Sequence, residues 1–139
     1  AASDVYKRQG DKLAMWDLYR AGYKVCYLSS RPGIEVEAQT RLWLWTYGYP
    51  CPERTEVVPT GQKAGALARR RPLAHLEDSP KVLEELWEAR ADGPLRDSGV
   101  KVVRILRRYN EGSLGYDGTV LSVVEFCWRY FLEAEVTEV

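Results

Sequence analysis

The stretch LAHLEDSPKVLEEL, residues 73–86, decides which fold we expect. Its first residues are mostly apolar and indicate a short strand, which runs into the acid pair Glu77–Asp78. Ser79 is a good N-cap residue, and Pro80 suits the first position of a helix. The apolar residues that follow recur at helical spacing, and the next glycine marks the end of the helix. The stretch therefore predicts a strand, an acidic turn and a helix in direct succession.

The same alternation of strand and helix extends over most of the chain. It predicts parallel strands joined by helical crossovers, and hence a three-layer, Rossmann-like α/β fold. A chain of 139 residues is long enough for one domain with one core. The further predicted segments are helices at 11–22, 34–49 and 62–71 and strands at 23–30, 55–61 and 100–106.

The C-terminal part, residues 111–139, departs from this pattern. Three closely spaced glycines predict a loop up to Gly118. The stretch TVLSVVEFCWRYFLEAEV, residues 119–136, then predicts a helix, although its β-branched and aromatic residues also suit a strand.

Composition narrows the class of protein. The 20 basic and 20 acidic residues balance, so no overall charge attracts the chain to nucleic acid. The cysteines at 26, 51 and 127 are odd in number and irregularly spaced, which indicates neither a disulfide framework nor a zinc site. They favour a reduced, cytoplasmic setting. No apolar run of 18 residues occurs, so we expect no membrane span, and composition gives no indication of oligomeric state.

Side chains suited to phosphate chemistry follow the predicted strands. In parallel α/β sheets, ligands collect at the carboxyl ends of the strands, so these side chains can converge. A hydroxyl donates to a phosphoryl oxygen, a lysine neutralises phosphate charge, and a pair of acids can hold Mg²⁺. The candidates are Ser29, Arg31, Lys63, Glu77 and Asp78.

Three of these segments resemble motifs of the haloacid dehalogenase (HAD)-like hydrolase superfamily. VCYLSSRP at 25–32 is similar to motif II, GQKAGAL at 61–67 to motif III, and LAHLEDSPKVLEEL to motif IV. The order and the gaps of about 34 and 15 residues between their functional positions also match. With VKVVRILRRYN at 100–110, the chain most resembles phosphatase domains of polynucleotide kinases and small nucleotidases. The resemblance covers roughly residues 11–110.

The resemblance implies a role for each candidate. Ser29 matches the hydroxyl that binds the transferring phosphoryl group, and Lys63 matches the lysine that steadies the nucleophile and the phosphate. Asp78 matches the acid that faces Mg²⁺, with Glu77 as its metal-site neighbour. Arg31 lies where related phosphatases present an arginine to the substrate. The implied activity is Mg²⁺-dependent hydrolysis of a phosphomonoester through an aspartyl-phosphate, on a phosphorylated small molecule or a nucleic-acid end.

The family's nucleophile is the part of the pattern that this sequence lacks. Motif I is Asp-x-Asp at the end of the first, central strand, and it should precede the helix at 11–22. Only Asp4 stands there, with no apolar strand before it. YDGT at 116–119 contains Asp117, but a glycine occupies the nucleophile position two residues earlier, so a turn or N-cap is the better interpretation.

The first nine residues explain this gap. AASDVYKRQ, residues 1–9, matches the translation of a transposon adapter used in sequencing libraries, so we interpret it as a non-native scar. The expected organisation is a scar at 1–9, a HAD-like core at 10–110 without its motif I strand, and a C-terminal loop and helix at 111–139. We expect such a fragment to be inactive without the motif I aspartates.

Two other classes of protein remain open at this stage. A non-catalytic nucleic-acid-binding domain would use Arg31, the run Arg69–Arg71 and the pair Arg107–Arg108. In a structural α/β module, the two acids would merely cap a helix and Lys63 would be a solvated residue in a first turn. His75 is expected to be a core or rim histidine rather than a metal ligand.

Overall fold

The computed structural model describes residues 2–31, 33–114 and 117–133, and it divides the chain into two compact units. The first unit combines the chain up to Val57 with the chain from Ser122 onward, and the second comprises Val58–Leu121. Among the described residues, no helix has both the length and the apolar character needed to cross a membrane.

Over its described residues, the first unit contains three α-helices and one small parallel sheet. The strands β1 (Tyr27–Ser29) and β2 (Thr55–Val57) pair in parallel, with Ser29 opposite Val57 in the register. Helices α1 and α5 pack together, and Leu18, Phe126 and Cys127 are buried in this unit. The elements are α1 (Ala2–Arg20), β1 (Tyr27–Ser29), α2 (Val36–Thr46), a 3-10 turn (Pro52–Arg54), β2 (Thr55–Val57), α5 (Val123–Cys127) and a π-helical turn (Trp128–Leu132).

The second unit is a three-stranded parallel sheet with two helices. The strand order is β3-β4-β5, and Glu77 lies opposite Arg104 in the register. Leu67, Leu83 and Val103 form part of its core, each at most 2 % exposed. The elements are α3 (Lys63–Arg70), β3 (Ala74–Glu77), α4 (Pro80–Asp92), β4 (Lys101–Ile105), a 3-10 turn (Arg108–Asn110) and β5 (Thr119–Val120).

Local sequence signals are confirmed where they predicted the ends of helices. The Ser79 hydroxyl accepts a hydrogen bond from the Val82 amide at 3.3 Å, and α4 begins at Pro80 as expected. Helix α1 ends at Arg20, and Gly22 has a φ of +93°, a conformation that favours glycine. The mixed α/β class and the parallel pairing of the strands are confirmed as well.

The structure differs from the sequence prediction in three places. The strands form two sheets in two units, where one sheet was expected. Thr119–Val120 is a strand and not the start of a helix, because its backbone pairs with the end of β4. The backbone of residues 2–9, interpreted as a scar, continues α1 toward the N-terminus. The parts of the predicted C-terminal helix at 134–136 and of the glycine loop at 115–116 lie outside the described residues.

Candidate functional site

Lys63, Glu77 and His75 form a buried polar cluster in the second unit. Lys63 is the first residue of α3, and its Nζ donates to Glu77 Oε1 at 2.6 Å. His75 Nε2 lies 2.8 Å from the same oxygen. The side chains of Lys63 and Glu77 are only 8 % and 4 % exposed. The structure therefore brings Lys63 and Glu77 together and buries Lys63, in contrast to the solvated lysine of the structural alternative.

The second oxygen of Glu77 holds the start of helix α4. Glu77 Oε2 accepts the backbone N–H groups of Asp78 at 3.2 Å and Ser79 at 3.1 Å. An ionised carboxylate only accepts hydrogen bonds, so His75 contributes its Nε2–H to this cluster. Both oxygens of Glu77 thus accept hydrogen bonds from other protein groups. Glu77 therefore positions Lys63 and the turn after β3.

The charge state of Glu77 follows from this environment. Burial alone would raise the pKa of the Glu77 carboxyl. The hydrogen bond from His75 and the positive charge of Lys63 outweigh burial, and together they lower this pKa from 4.5 to about 2. Glu77 is therefore ionised at neutral pH, and its charge is balanced by Lys63 inside the protein.

Asp78 lies one residue beyond the end of β3, and unlike Glu77 it is exposed. Its Oδ2 accepts a hydrogen bond from the Tyr109 hydroxyl. That hydrogen bond raises the pKa of Tyr109 above its ordinary value of 10. The neighbouring acids thus have different environments: Glu77 is enclosed by protein donors, whereas Asp78 faces the surface beside an aromatic hydroxyl.

Asn110 fastens the segment after β4 to the end of β3. Its side chain is 1 % exposed, and its Nδ2 donates to the carbonyl oxygens of Asp78 and Ile105, both at 2.8 Å. Its Oδ1 accepts the Arg107 amide at 2.8 Å. Asn110 thereby fixes the carboxyl ends of β3 and β4 against each other.

Sequence reasoning missed Tyr109 and Asn110. The available signal was their position: RRYN directly follows a predicted strand, at the edge of the sheet where ligands collect. An asparagine at such a position can satisfy the backbone groups that a strand leaves unpaired at its end. The sequence prediction for this segment names only Arg107 and Arg108.

Ser29 and Arg31 belong to the first unit. Ser29 is the last residue of β1 and is half-buried, and Arg31 is exposed two residues later. Each therefore stands at the carboxyl end of a parallel strand, as predicted. Within the second unit, the structure brings together Lys63 and Glu77, with Asp78 as the next residue.

Asp117 has a structural role in this fold. Its Oδ2 accepts the Val102 amide at 2.7 Å and is paired with Arg90. It therefore holds the loop before β5 against β4, in line with the interpretation of YDGT as a turn; residues 115 and 116 of that loop lie outside the described part.

The carboxylates of Glu77 and Asp78 differ in how well they meet the requirements of Mg²⁺. Over the described ranges, no group of three or more histidine, cysteine, aspartate or glutamate side chains could hold a metal ion. Mg²⁺ is commonly held by one or two carboxylates, with waters and substrate phosphates completing its six ligands. The exposed carboxylate of Asp78 fits that role, whereas both oxygens of Glu77 already accept hydrogen bonds.

Comparison with known proteins gives no relative, since no family model, no curated protein and no solved structure matches the chain. The function is therefore inferred from the side chains and their contacts.

Proposed function

We propose that this chain is part of a Mg²⁺-dependent phosphomonoesterase of the HAD-like type, which acts on a phosphorylated small molecule or a nucleic-acid end. The observation that carries the proposal is the contact between Lys63 and Glu77. These residues come from two separate segments that resemble motifs III and IV, and their side chains meet at 2.6 Å beside the end of β3. The proposed enzyme would work in a cytoplasmic setting.

The roles proposed for the side chains follow their surroundings. Lys63 has three N–H donors, of which Glu77 takes one, so the ammonium can also contact a phosphoryl oxygen. Asp78 would be the carboxylate that holds Mg²⁺, with Glu77 beside it as the residue that orients Lys63. When bound, Mg²⁺ would neutralise charge on the phosphoryl group. Ser29 would donate its hydroxyl to a phosphoryl oxygen, and Arg31 would contact the substrate.

The chemistry requires a nucleophile that this sequence does not contain, because it has no Asp-x-Asp. In the proposed reaction, the first aspartate of motif I attacks phosphorus, the bond from phosphorus to the leaving oxygen breaks, and the second aspartate protonates that oxygen. The second aspartate then takes a proton from a water molecule, whose oxygen attacks the same phosphorus while the bond from phosphorus to the first aspartate breaks, so phosphate is released and the first aspartate is regenerated. We therefore expect no turnover by this chain alone.

The test is to express the gene together with its upstream codons and to assay the product on p-nitrophenyl phosphate. We expect phosphate release that requires Mg²⁺ and stops with EDTA, and a strong loss of activity in Ser29→Ala. Absence of release, or release that is indifferent to EDTA and to Ser29→Ala, would contradict the proposal. A thermal unfolding scan of each variant controls for loss of folding.

A further inference from the structure

Asp78 is exposed, yet three hydrogen bonds hold it in place. Its backbone N–H donates to Glu77 Oε2 at 3.2 Å, and its backbone carbonyl accepts Asn110 Nδ2 at 2.8 Å. One carboxylate oxygen, Oδ2, accepts the hydroxyl of Tyr109. The other oxygen, Oδ1, accepts no hydrogen bond from the described part of the chain. Asp78 therefore presents one open oxygen on a carboxylate that is otherwise fixed.

Tyr109 comes from a turn that is itself anchored. It lies in the 3-10 turn Arg108–Asn110 that follows β4. Before Tyr109, the backbone amide of Arg107 donates to the buried side chain of Asn110 at 2.8 Å. After it, the guanidinium of Arg104 donates to the carbonyl oxygen of Asn110 at 3.0 Å. The fold thus sets the position of the Tyr109 hydroxyl from both sides.

We propose that Tyr109 is a positioning residue, whose hydroxyl orients the Asp78 carboxylate for the binding of Mg²⁺. The proposal rests on the proposed function, because it takes Asp78 as the carboxylate that holds the metal ion. None of the roles implied by the resemblance to HAD-like hydrolases falls on Tyr109. It contributes to the affinity for Mg²⁺ through Asp78 and does not touch the reacting atoms.

The physical reason is the freedom of an exposed side chain. A carboxylate that rotates freely loses that freedom when it binds a cation, and this loss weakens binding. A hydrogen bond to one oxygen removes the freedom beforehand, and loss of such a partner typically lowers metal affinity by roughly 10- to 100-fold. The tyrosine hydroxyl is a neutral donor, so it holds the carboxylate without cancelling its charge. Because Tyr109 is 59 % exposed, its ring adds little to the core, which favours a role for its hydroxyl.

The test is a Mn²⁺ titration of the full chain, followed by the paramagnetic broadening of backbone amide signals. Mn²⁺ prefers the same oxygen ligands as Mg²⁺. Ser79 follows Asp78, and Ser98 follows the exposed Asp97 of the same unit. In the wild type, we expect the Ser79 amide to broaden at a lower Mn²⁺ concentration than the Ser98 amide. Tyr109→Phe removes only the hydroxyl and should raise the half-broadening concentration at Ser79 by about 10- to 100-fold, with Ser98 unchanged.

A matched variant and a stability measurement separate positioning from mere stabilisation. Tyr47→Phe removes the hydroxyl of a tyrosine that is 47 % exposed in the first unit, and it should leave both half-broadening concentrations as in the wild type. In urea unfolding with EDTA, Tyr109→Phe should shift the midpoint no more than Tyr47→Phe does. In the product of the gene extended by its upstream codons, Tyr109→Phe should need more Mg²⁺ for half-maximal activity, and saturating Mg²⁺ should restore kcat.

The outcomes distinguish this proposal from the proposed function. Equal broadening of Ser79 in the wild type and Tyr109→Phe, or equal broadening of Ser79 and Ser98 in the wild type, would overturn the positioning role. Either result would leave Mg²⁺-dependent hydrolysis by the extended gene product untouched. Selective broadening beside Asp78 that requires the Tyr109 hydroxyl, found with a gene product that hydrolyses no phosphomonoester, would keep the positioning role and overturn the phosphatase.

Discussion

Replacing Glu77 with glutamine should lower the free energy of unfolding by about 3 kcal/mol at pH 7. The change keeps the size of the side chain but removes the charge that balances Lys63, whose side chain is 8 % exposed and 2.6 Å away. A buried ammonium without its partner is costly, because its hydration is lost and nothing replaces it. The variant should therefore show a lower stability of the second unit.

The size of this loss in the free energy of unfolding follows from the pKa of Glu77. Its pKa falls from 4.5 in an unfolded chain to about 2 in the folded protein. The difference is roughly 2.5 pH units, and at about 1.4 kcal/mol per unit it corresponds to roughly 3 to 4 kcal/mol. Because the folded-state pKa is the lower one, this stabilisation is fully present above about pH 4.5. It is lost progressively as the pH falls from there toward 2.

The assay is urea unfolding followed by far-UV circular dichroism at pH 7 and at pH 3. Wild type should lose stability between these values, and Glu77→Gln should change less. Glu84→Gln, an exposed residue of α4, is the matched control and should stay within about 0.5 kcal/mol of wild type. A Glu77→Gln variant as stable as Glu84→Gln at pH 7 would refute the account of this buried pair.

Two further predictions concern other buried groups. Asn110→Ala should destabilise the chain by about 2–3 kcal/mol in the same urea assay, because it leaves two backbone carbonyls and one backbone amide without their hydrogen-bond partner. A loss below about 0.5 kcal/mol would contradict the role of Asn110 as a clamp. Burial raises the pKa of the Cys127 thiol to about 12, whereas Cys26 is exposed. Iodoacetamide at pH 8 should therefore modify Cys26 in the native protein and spare Cys127 until urea unfolds it, as mapped by peptide mass spectrometry; native labelling of Cys127 at the rate of Cys26 would argue against this packing.

The sequence predicted those parts of the fold that short-range chemistry determines. Ser79 begins α4 because its hydroxyl can cap a helix wherever the helix lies, and Gly22 ends α1 because it tolerates a positive φ. The sequence also predicted that Lys63 and Glu77 can converge, because each was placed just past a predicted strand or loop, and their side chains meet at 2.6 Å.

The remaining features depend on contacts between distant residues. The burial of Lys63 requires a carboxylate 14 positions away, and a lysine in a first helical turn is ordinarily solvated. Thr119–Val120 becomes a strand because β4 offers a pairing edge, whereas local propensity left helix and strand both open for this stretch. The clamp formed by Asn110 links the end of β3 to a residue 32 positions later, so no short motif announces it.

The proposal that Asp78 holds Mg²⁺ in a phosphomonoesterase is tested most directly by comparing two aspartates of the second unit. In the product of the gene extended by its upstream codons, kcat/KM for p-nitrophenyl phosphate is measured against Mg²⁺ concentration for Asp78→Asn and for the exposed Asp97→Asn. The account predicts a loss of at least about 100-fold for Asp78→Asn, equivalent to about 2.7 kcal/mol of barrier, with Asp97→Asn unchanged. Equal activity in the two variants would contradict it.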